Sequence, residues 1–149
     1  MRLEEEIVQQ NFDSDYHKAA VNIIYTSNWL TDIHSKTIKP YNITIQQFNI
    51  LRILRGQYPK VVNLKLIKRR MLDKMSDVSR LIERLREKEL VERKICPSDR
   101  RHMDVIITEK GLNLLNKLDE DIAKINSLFD TLNQEEVNTL NKLLDKLRG

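Results

Sequence analysis

The chain has 149 residues, of which 40% are hydrophobic and 32% charged, and it carries a net charge of +4. That is the size of one compact domain able to bury a core without disulfides or a structural metal. No apolar run approaches the roughly 18 residues of a membrane-spanning helix, the acidic start Met1-Arg2-Leu3-Glu4-Glu5-Glu6 lacks a signal-peptide apolar stretch, and the single cysteine, Cys96, leaves no internal disulfide, so a cytoplasmic location is expected.

The first long segment runs from about Asp15 to Lys36. Its apolar residues Ala19, Val21, Ile23, Ile24, Trp29, Leu30 and Ile33 fit a helix better than a strand, and Pro40 stops it. Thr44-Ile45-Gln46-Gln47 has the form of a capping box. It opens a second helix through Phe48, Leu51, Ile53 and Leu54, which Gly56 and Pro59 end. Asn63 can cap a short third helix from Leu64 to about Arg70, with Leu64, Ile67 and Met71 on its inner side. After a break near Leu72-Asp73, a fourth helix is predicted from about Lys74 or Met75 to Lys88. Val78, Leu81, Ile82 and Leu85 form its buried stripe, and Ser76, Ser79, Arg80, Glu83, Arg84, Glu87 and Lys88 its outer face. Leu90 to Ile95 and Asp104 to Thr108 read as two strands of a hairpin, joined by the polar stretch Cys96 to His102. Thr108 can cap a fifth helix reaching about Leu128, and Asn133-Gln134-Glu135-Glu136 signals a last one with Val137, Leu140, Leu143, Leu144 and Leu147.

The charge is unevenly spread. Residues 52–102 hold 16 Lys/Arg against 7 Asp/Glu, a net of +9, while the remainder holds 10 against 15, a net of −5. A basic block of this kind is the footprint of a surface that meets phosphates, although a solvated helix face gives the same composition. Its placement favours phosphates. The order helix, helix, polar-faced helix, strand, basic hairpin, strand is that of a winged helix-turn-helix. A helix about 10–12 Å across fits the major groove of B-DNA, and an arginine on a neighbouring hairpin can enter the minor groove. The expected fold is therefore mostly α with a minor β component. It forms a single domain over 1–149, with a DNA-binding lobe at about 43–108 between long terminal helices at about 1–42 and 109–149.

The run from Ile43-Thr44-Ile45-Gln46-Gln47-Phe48 to Thr108-Glu109-Lys110-Gly111 resembles the core of the MarR family of transcription regulators. Leu81 to Arg93 is similar to that family's recognition helix and entry to the wing. Pro97-Ser98-Asp99-Arg100-Arg101 is similar to its wing signature. The resemblance implies that Ser76, Asp77, Ser79 and Arg80 meet bases and nearby phosphates, with Lys74, Arg84, Arg101 and His102 as further DNA contacts. It also implies that Arg100 enters the minor groove, that Asp99 braces the wing by pairing with Arg101 or Arg80, and that Asn63 and Lys65 touch the DNA backbone. Asp77 has two readings: it accepts from a cytosine amino group, or it holds a neighbouring arginine, the second being favoured. Lys68 and Leu72 depart from the family's usual small residue and turn glycine.

The family also implies a two-fold dimer through the terminal helices, a palindromic operator and, in most members, repression. The surplus apolar residues Leu128, Phe129, Leu132, Val137, Leu140, Leu144 and Leu147 agree with a dimer, packing of the two C-terminal helices on each other being the alternative. Many members of the family bind a small aromatic or anionic effector between the dimer core and the DNA-binding lobe. Tyr25, Trp29, Ile33, His34 and Tyr41 are the residues that could line its cleft, ordinary core packing being the alternative. Redox sensing at Cys96 is not the expectation, since the family's sensing cysteines lie mainly in the first helix. His17, His34 and His102 form no metal-binding cluster, and no cofactor is expected. No enzyme motif is visible. A winged-helix module for RNA or a protein partner is the alternative function, but the polar-faced helix carries no aromatics for stacking on RNA bases.

Overall fold

A computed structural model describes residues 2–95 and 103–149. Cys96, Asp99, Arg100, Arg101 and His102 lie outside the described residues, so the expectations for the hairpin tip and for redox chemistry fall there as well. The elements are α1 (Leu3–Glu6), α2 (Asp15–Ile38), α3 (Ile45–Arg55), β1 (Val62–Asn63), α4 (Leu64–Arg70), α5 (Val78–Glu87), β2 (Val91–Ile95), β3 (Met103–Ile107), α6 (Glu109–Asn126) and α7 (Gln134–Arg148). Short 3₁₀ turns follow α2 at Lys39–Tyr41 and α6 at Ser127–Thr131. Among the described residues no helix is long and apolar enough to cross a membrane.

Helix starts are set by side-chain oxygens that satisfy free amides. Ser14 Oγ accepts from His17 N–H at 3.1 Å to open α2. Thr44 and Gln47 exchange hydrogen bonds of 3.2 and 3.1 Å at the head of α3. Asn63 Oδ1 accepts from Leu66 N–H at 2.8 Å, and Thr108 Oγ1 from Gly111 N–H at 3.1 Å. The predicted start of the fourth helix is corrected: α5 begins at Val78, three or four residues later than expected. Asp73 closes its own turn by accepting from Met75 N–H at 2.9 Å, and Asp77 is the N-cap, accepting from Arg80 N–H at 3.1 Å. The turn between α4 and α5 does not use a left-handed residue at Leu72, so the missing glycine costs nothing there. Leu72 N–H is satisfied by Asn49 Oδ1 at 2.9 Å. The C-terminal end of α5 does need a left-handed residue, and Glu89 adopts φ 61. Its N–H donates to Arg86 O and that of Leu90 to Leu85 O, which satisfies the last carbonyls.

The predicted hairpin forms with β2 and β3 antiparallel, Arg93 opposite Val105. A third strand was not foreseen: β1, immediately before α4, pairs Val62 with Val105, and gives the order β1-β3-β2. The core lies where this sheet meets the helices. Ile50, Leu51 and Leu54 of α3, Ile67 of α4, Ile82 and Leu85 of α5, Val105 and Ile107 of β3, and Leu115 and Leu118 of α6 are all buried. Each such side chain contributes roughly 1.5–3 kcal/mol of hydrophobic burial. Gly111 lets α6 approach this corner: a Cβ there would stand 2.4 Å from Leu90 O and 2.6 Å from Ile107 Cγ1. Farther along α6, Asp119 accepts two bonds of 2.9 Å from the Arg55 guanidinium of α3, and Asp121 accepts from Tyr41 Oη at 3.0 Å. The outer helices are different. α7 has no buried residue within the chain, and α2 buries only Ile38.

Candidate nucleic-acid interface

The inner stripe of α5 consists of Val78, Ile82 and Leu85, all buried, with Leu81 partly so. That stripe fixes which residues point outward. Ser79, Arg80 and Arg84 are exposed on the other side, and one oxygen of the Asp77 carboxylate caps the Arg80 amide at the head of the helix. In the chain the Asp77 carboxylate accepts from the backbone N–H of Arg80 at 3.1 Å and makes no ion pair with a described residue. Ser76 is half-buried, and its hydroxyl is shielded from solvent with no partner among the described residues. A shallow depression at the head of α5 is bordered by Gln46, Asp73, Ser76, Asp77, Arg80 and Arg84.

The arginines of α5 are not equivalent. Arg84 pairs with Glu87 at 3.3 Å and Arg86 with Glu83 at 2.6 Å. Arg80 is exposed and makes no ion pair with a described residue; a guanidinium has the geometry for bidentate recognition of a guanine edge or a phosphate.

α4 lies beside it. Ile67 is buried, and Met71 just after the helix is buried too, which turns Lys65, Lys68, Arg69 and Arg70 outward with no acidic residue in the helix. None of the four pairs with an acid among the described residues. Lys74 folds back, its Nζ donating to Arg69 O at 2.7 Å. Asn63 and Lys65 stand at the start of this helix, but the Asn63 side-chain oxygen is already used as the cap, leaving only its amide hydrogens to donate outward. Lys65 is the cation of this helix that the sequence pattern points to, and Lys68, Arg69 and Arg70 join it on the exposed side. The signal was present as a run of cations between the two inward residues.

Among the described residues, the five expected around an effector do not border one common cleft. Tyr25 and Trp29 border a cleft of about 490 Å³ with Leu3, Glu6, Asn22 and Thr26, where Tyr25 Oη donates to Glu6 at 2.8 Å. Tyr41 is tied to α6 through Asp121, which raises its phenol pKa. Ile33 packs on the core. Burial, followed by the Arg52 guanidinium, holds His34 below the usual imidazole value. A larger cleft of about 650 Å³ lies between α2 and the head of α3, bordered by Ser35, Lys36, Thr44, Gln47 and Lys88, and it includes none of the five.

A sequence model described as the MarR family matches residues 43–103, the span from the head of α3 to the start of β3. The chain is 31% identical over 121 residues to the HTH-type transcriptional regulator MhqR of Bacillus subtilis, covering 79% of this chain and 81% of that protein. It is 32% identical over 113 residues to the HTH-type transcriptional regulator MgrA of Staphylococcus aureus, covering 76% and 75%. Among solved structures, Bordetella bronchiseptica BpsR, described with the regulation of its DNA binding by 6-hydroxynicotinic acid, superposes with a TM-score of 0.76 at 26% identity, over 89% of this chain and 99% of that one. Matched over most of its length by transcriptional regulators, and with the polar-faced α5 set between a cationic helix and a two-stranded wing base, the chain belongs to the MarR family.

Proposed function

We propose that this protein is a sequence-specific, double-stranded-DNA-binding transcription regulator that acts as a homodimer on a two-fold symmetric operator, in the manner of a repressor. The observation that carries the reading is the pairing of two surfaces. The outer face of α5 offers Ser79 and Arg80 for base edges, and α4 offers four cations without a balancing acid for the adjacent phosphates. The exposed apolar side chains Ile23, Ile24 and Trp29 on α2, Leu128 and Phe129 after α6, and Leu140, Leu143 and Leu147 on α7 support the dimer. Two copies would set their α5 helices on half-sites about one turn, or ~10 bp, apart.

The test is selection of bound duplexes from a random pool, followed by titration of the winning site with the wild type and with Arg80→Ala. The variant should lose about 1–3 kcal/mol on the selected site, the worth of one bidentate contact, and much less on a scrambled duplex. A wild type that enriches no sequence would end this reading. Control by a small aromatic or anionic effector belongs to the same proposal. BpsR, whose DNA binding is regulated by 6-hydroxynicotinic acid, supports it, and the partly exposed Trp29 is a fluorescent reporter beside one cleft. Aromatic acids that release the selected duplex should also change Trp29 emission. An unchanged emission during release would move the effector away from that cleft.

A further inference from the structure

Glu83 lies on α5 one turn beyond Ser79 and Arg80, on the flank that faces β2. A carboxylate beside a phosphate-binding face repels the ligand unless it is neutralised. Here both oxygens are occupied. Oε1 accepts from Arg86 Nε at 3.0 Å and Nη2 at 2.6 Å, and Oε2 lies 2.6 Å from Arg93 Nη2. Arg86 is on the same helix, but Arg93 is on β2, the edge strand that leads into the wing. The Arg86 guanidinium holds the Glu83 carboxyl below the usual carboxylate range, so it stays ionised at neutral pH. One acid thus engages two arginines and joins the helix to the base of the wing.

We infer that Glu83 is a specificity-determining positioning residue for DNA recognition, which keeps Arg86 and Arg93 off the phosphates and ties the wing base to α5. The inference rests on the regulator reading above. Any duplex offers phosphates, so each cation released near the backbone adds affinity for right and wrong sequences alike, with a strong dependence on salt. Specificity is the ratio of the two affinities, and it falls when the shared part grows. Because the pairs are partly exposed, their loss has little effect on folding, and Glu83→Gln preserves the side chain's shape.

The experiment measures binding to the selected duplex and to a scrambled one by fluorescence anisotropy, across a salt series. Glu83→Gln should bind the scrambled duplex about tenfold more tightly at low salt and steepen its salt slope by up to about two, the effect of two additional phosphate contacts. Its preference for the selected site should fall by a similar factor. The triple variant Glu83→Gln/Arg86→Gln/Arg93→Gln should return the slope to that of the wild type, a reversal that a merely structural role would not produce. The double variant Arg86→Gln/Arg93→Gln, with Glu83 left uncovered, should bind both duplexes more weakly. The inference is overturned if Glu83→Gln leaves scrambled-duplex affinity and slope unchanged, or if a steeper slope persists in the triple variant. A wild type that binds neither duplex at low salt would instead remove the regulator reading, and this inference with it.

Discussion

Replacing Gly111 by alanine should destabilise the protein, although helix propensity alone argues the reverse. Alanine is favoured over glycine inside a helix by about 1 kcal/mol, and less in a first turn. At this position, however, the added methyl would stand 2.4 Å from Leu90 O and 2.6 Å from Ile107 Cγ1. Ordinary contacts of carbon with a carbonyl oxygen begin near 3.3 Å. The head of α6 must therefore withdraw by roughly 0.9 Å from a backbone atom and from a buried side chain, neither of which can swing aside. Withdrawal also stretches the Thr108 N–H bond to Leu90 O, now 3.1 Å. Overpacking of this kind costs about 1–3 kcal/mol and the strained hydrogen bond about 0.5–1.5 kcal/mol, so the net loss is about 1–3 kcal/mol after the propensity gain. Gly56→Ala is the matched control. Gly56 has φ −65, and a Cβ there meets nothing closer than Arg52 O at 3.5 Å, so this change should stabilise by about 0.4–1 kcal/mol. Urea unfolding followed by far-ultraviolet circular dichroism, at one protein concentration, should place the two midpoints on opposite sides of the wild type. A Gly111→Ala midpoint at or above the wild-type value would refute the close-packing argument.

Asp77→Ala should cost about 0.5–2 kcal/mol in unfolding experiments through loss of the α5 cap, whereas Asp77→Asn keeps the cap and should leave stability within a few tenths of a kcal/mol. Both should bind the selected duplex at least as tightly as the wild type, and a marked loss with Asn would return Asp77 to a direct role in base recognition. Lys68→Ala should weaken binding to selected and scrambled duplexes alike and reduce the salt slope by about 0.9, read from anisotropy titrations. For pH, the sign follows from the direction of the His34 shift. The unfolded chain takes up the His34 proton as pH falls through about 6.5, and the folded chain takes it up only at lower pH. Stability is thus lost from about pH 6.5 downward until the folded imidazole also protonates, and nothing from this residue changes above about pH 7.5. His34→Gln should narrow the difference between urea midpoints at pH 7.5 and 5.5, and an unchanged difference would contradict the assignment.

Much of the fold is legible because its punctuation is local. Thr44 with Gln47, Asn63, Thr108 and Asn133 each cap the helix that their spacing predicts. The head of α5 is ambiguous in the sequence for a physical reason: Asp73, Ser76 and Asp77 are all capping residues within five positions, and in the structure Asp73 closes its own turn while Asp77 starts the helix. β1 has two residues and no pattern of its own, and it becomes a strand only because Val62 meets Val105, 43 positions away. The end of α5 was hidden because Glu89 occupies a place where glycine is usual. At the candidate site, the identity of the outward residues could be read from the period of α5. Which arginines are engaged could not, because the Glu83–Arg93 pair depends on how β2 sits against the helix.

The three attachments of α6 have a mechanical consequence. Its first turn is seated against the base of the wing at Gly111, and further along it is held to α3 by the Arg55–Asp119 fork and to the turn after α2 by Tyr41 and Asp121. A rod fastened at three places cannot pivot at any one of them alone. Movement of α7 relative to this lobe is then easiest at the 3₁₀ segment Ser127–Thr131 between α6 and α7. Stiffness along α6 and compliance just beyond it would carry a push on the head of α6 through the entire lobe, while α7 moves separately.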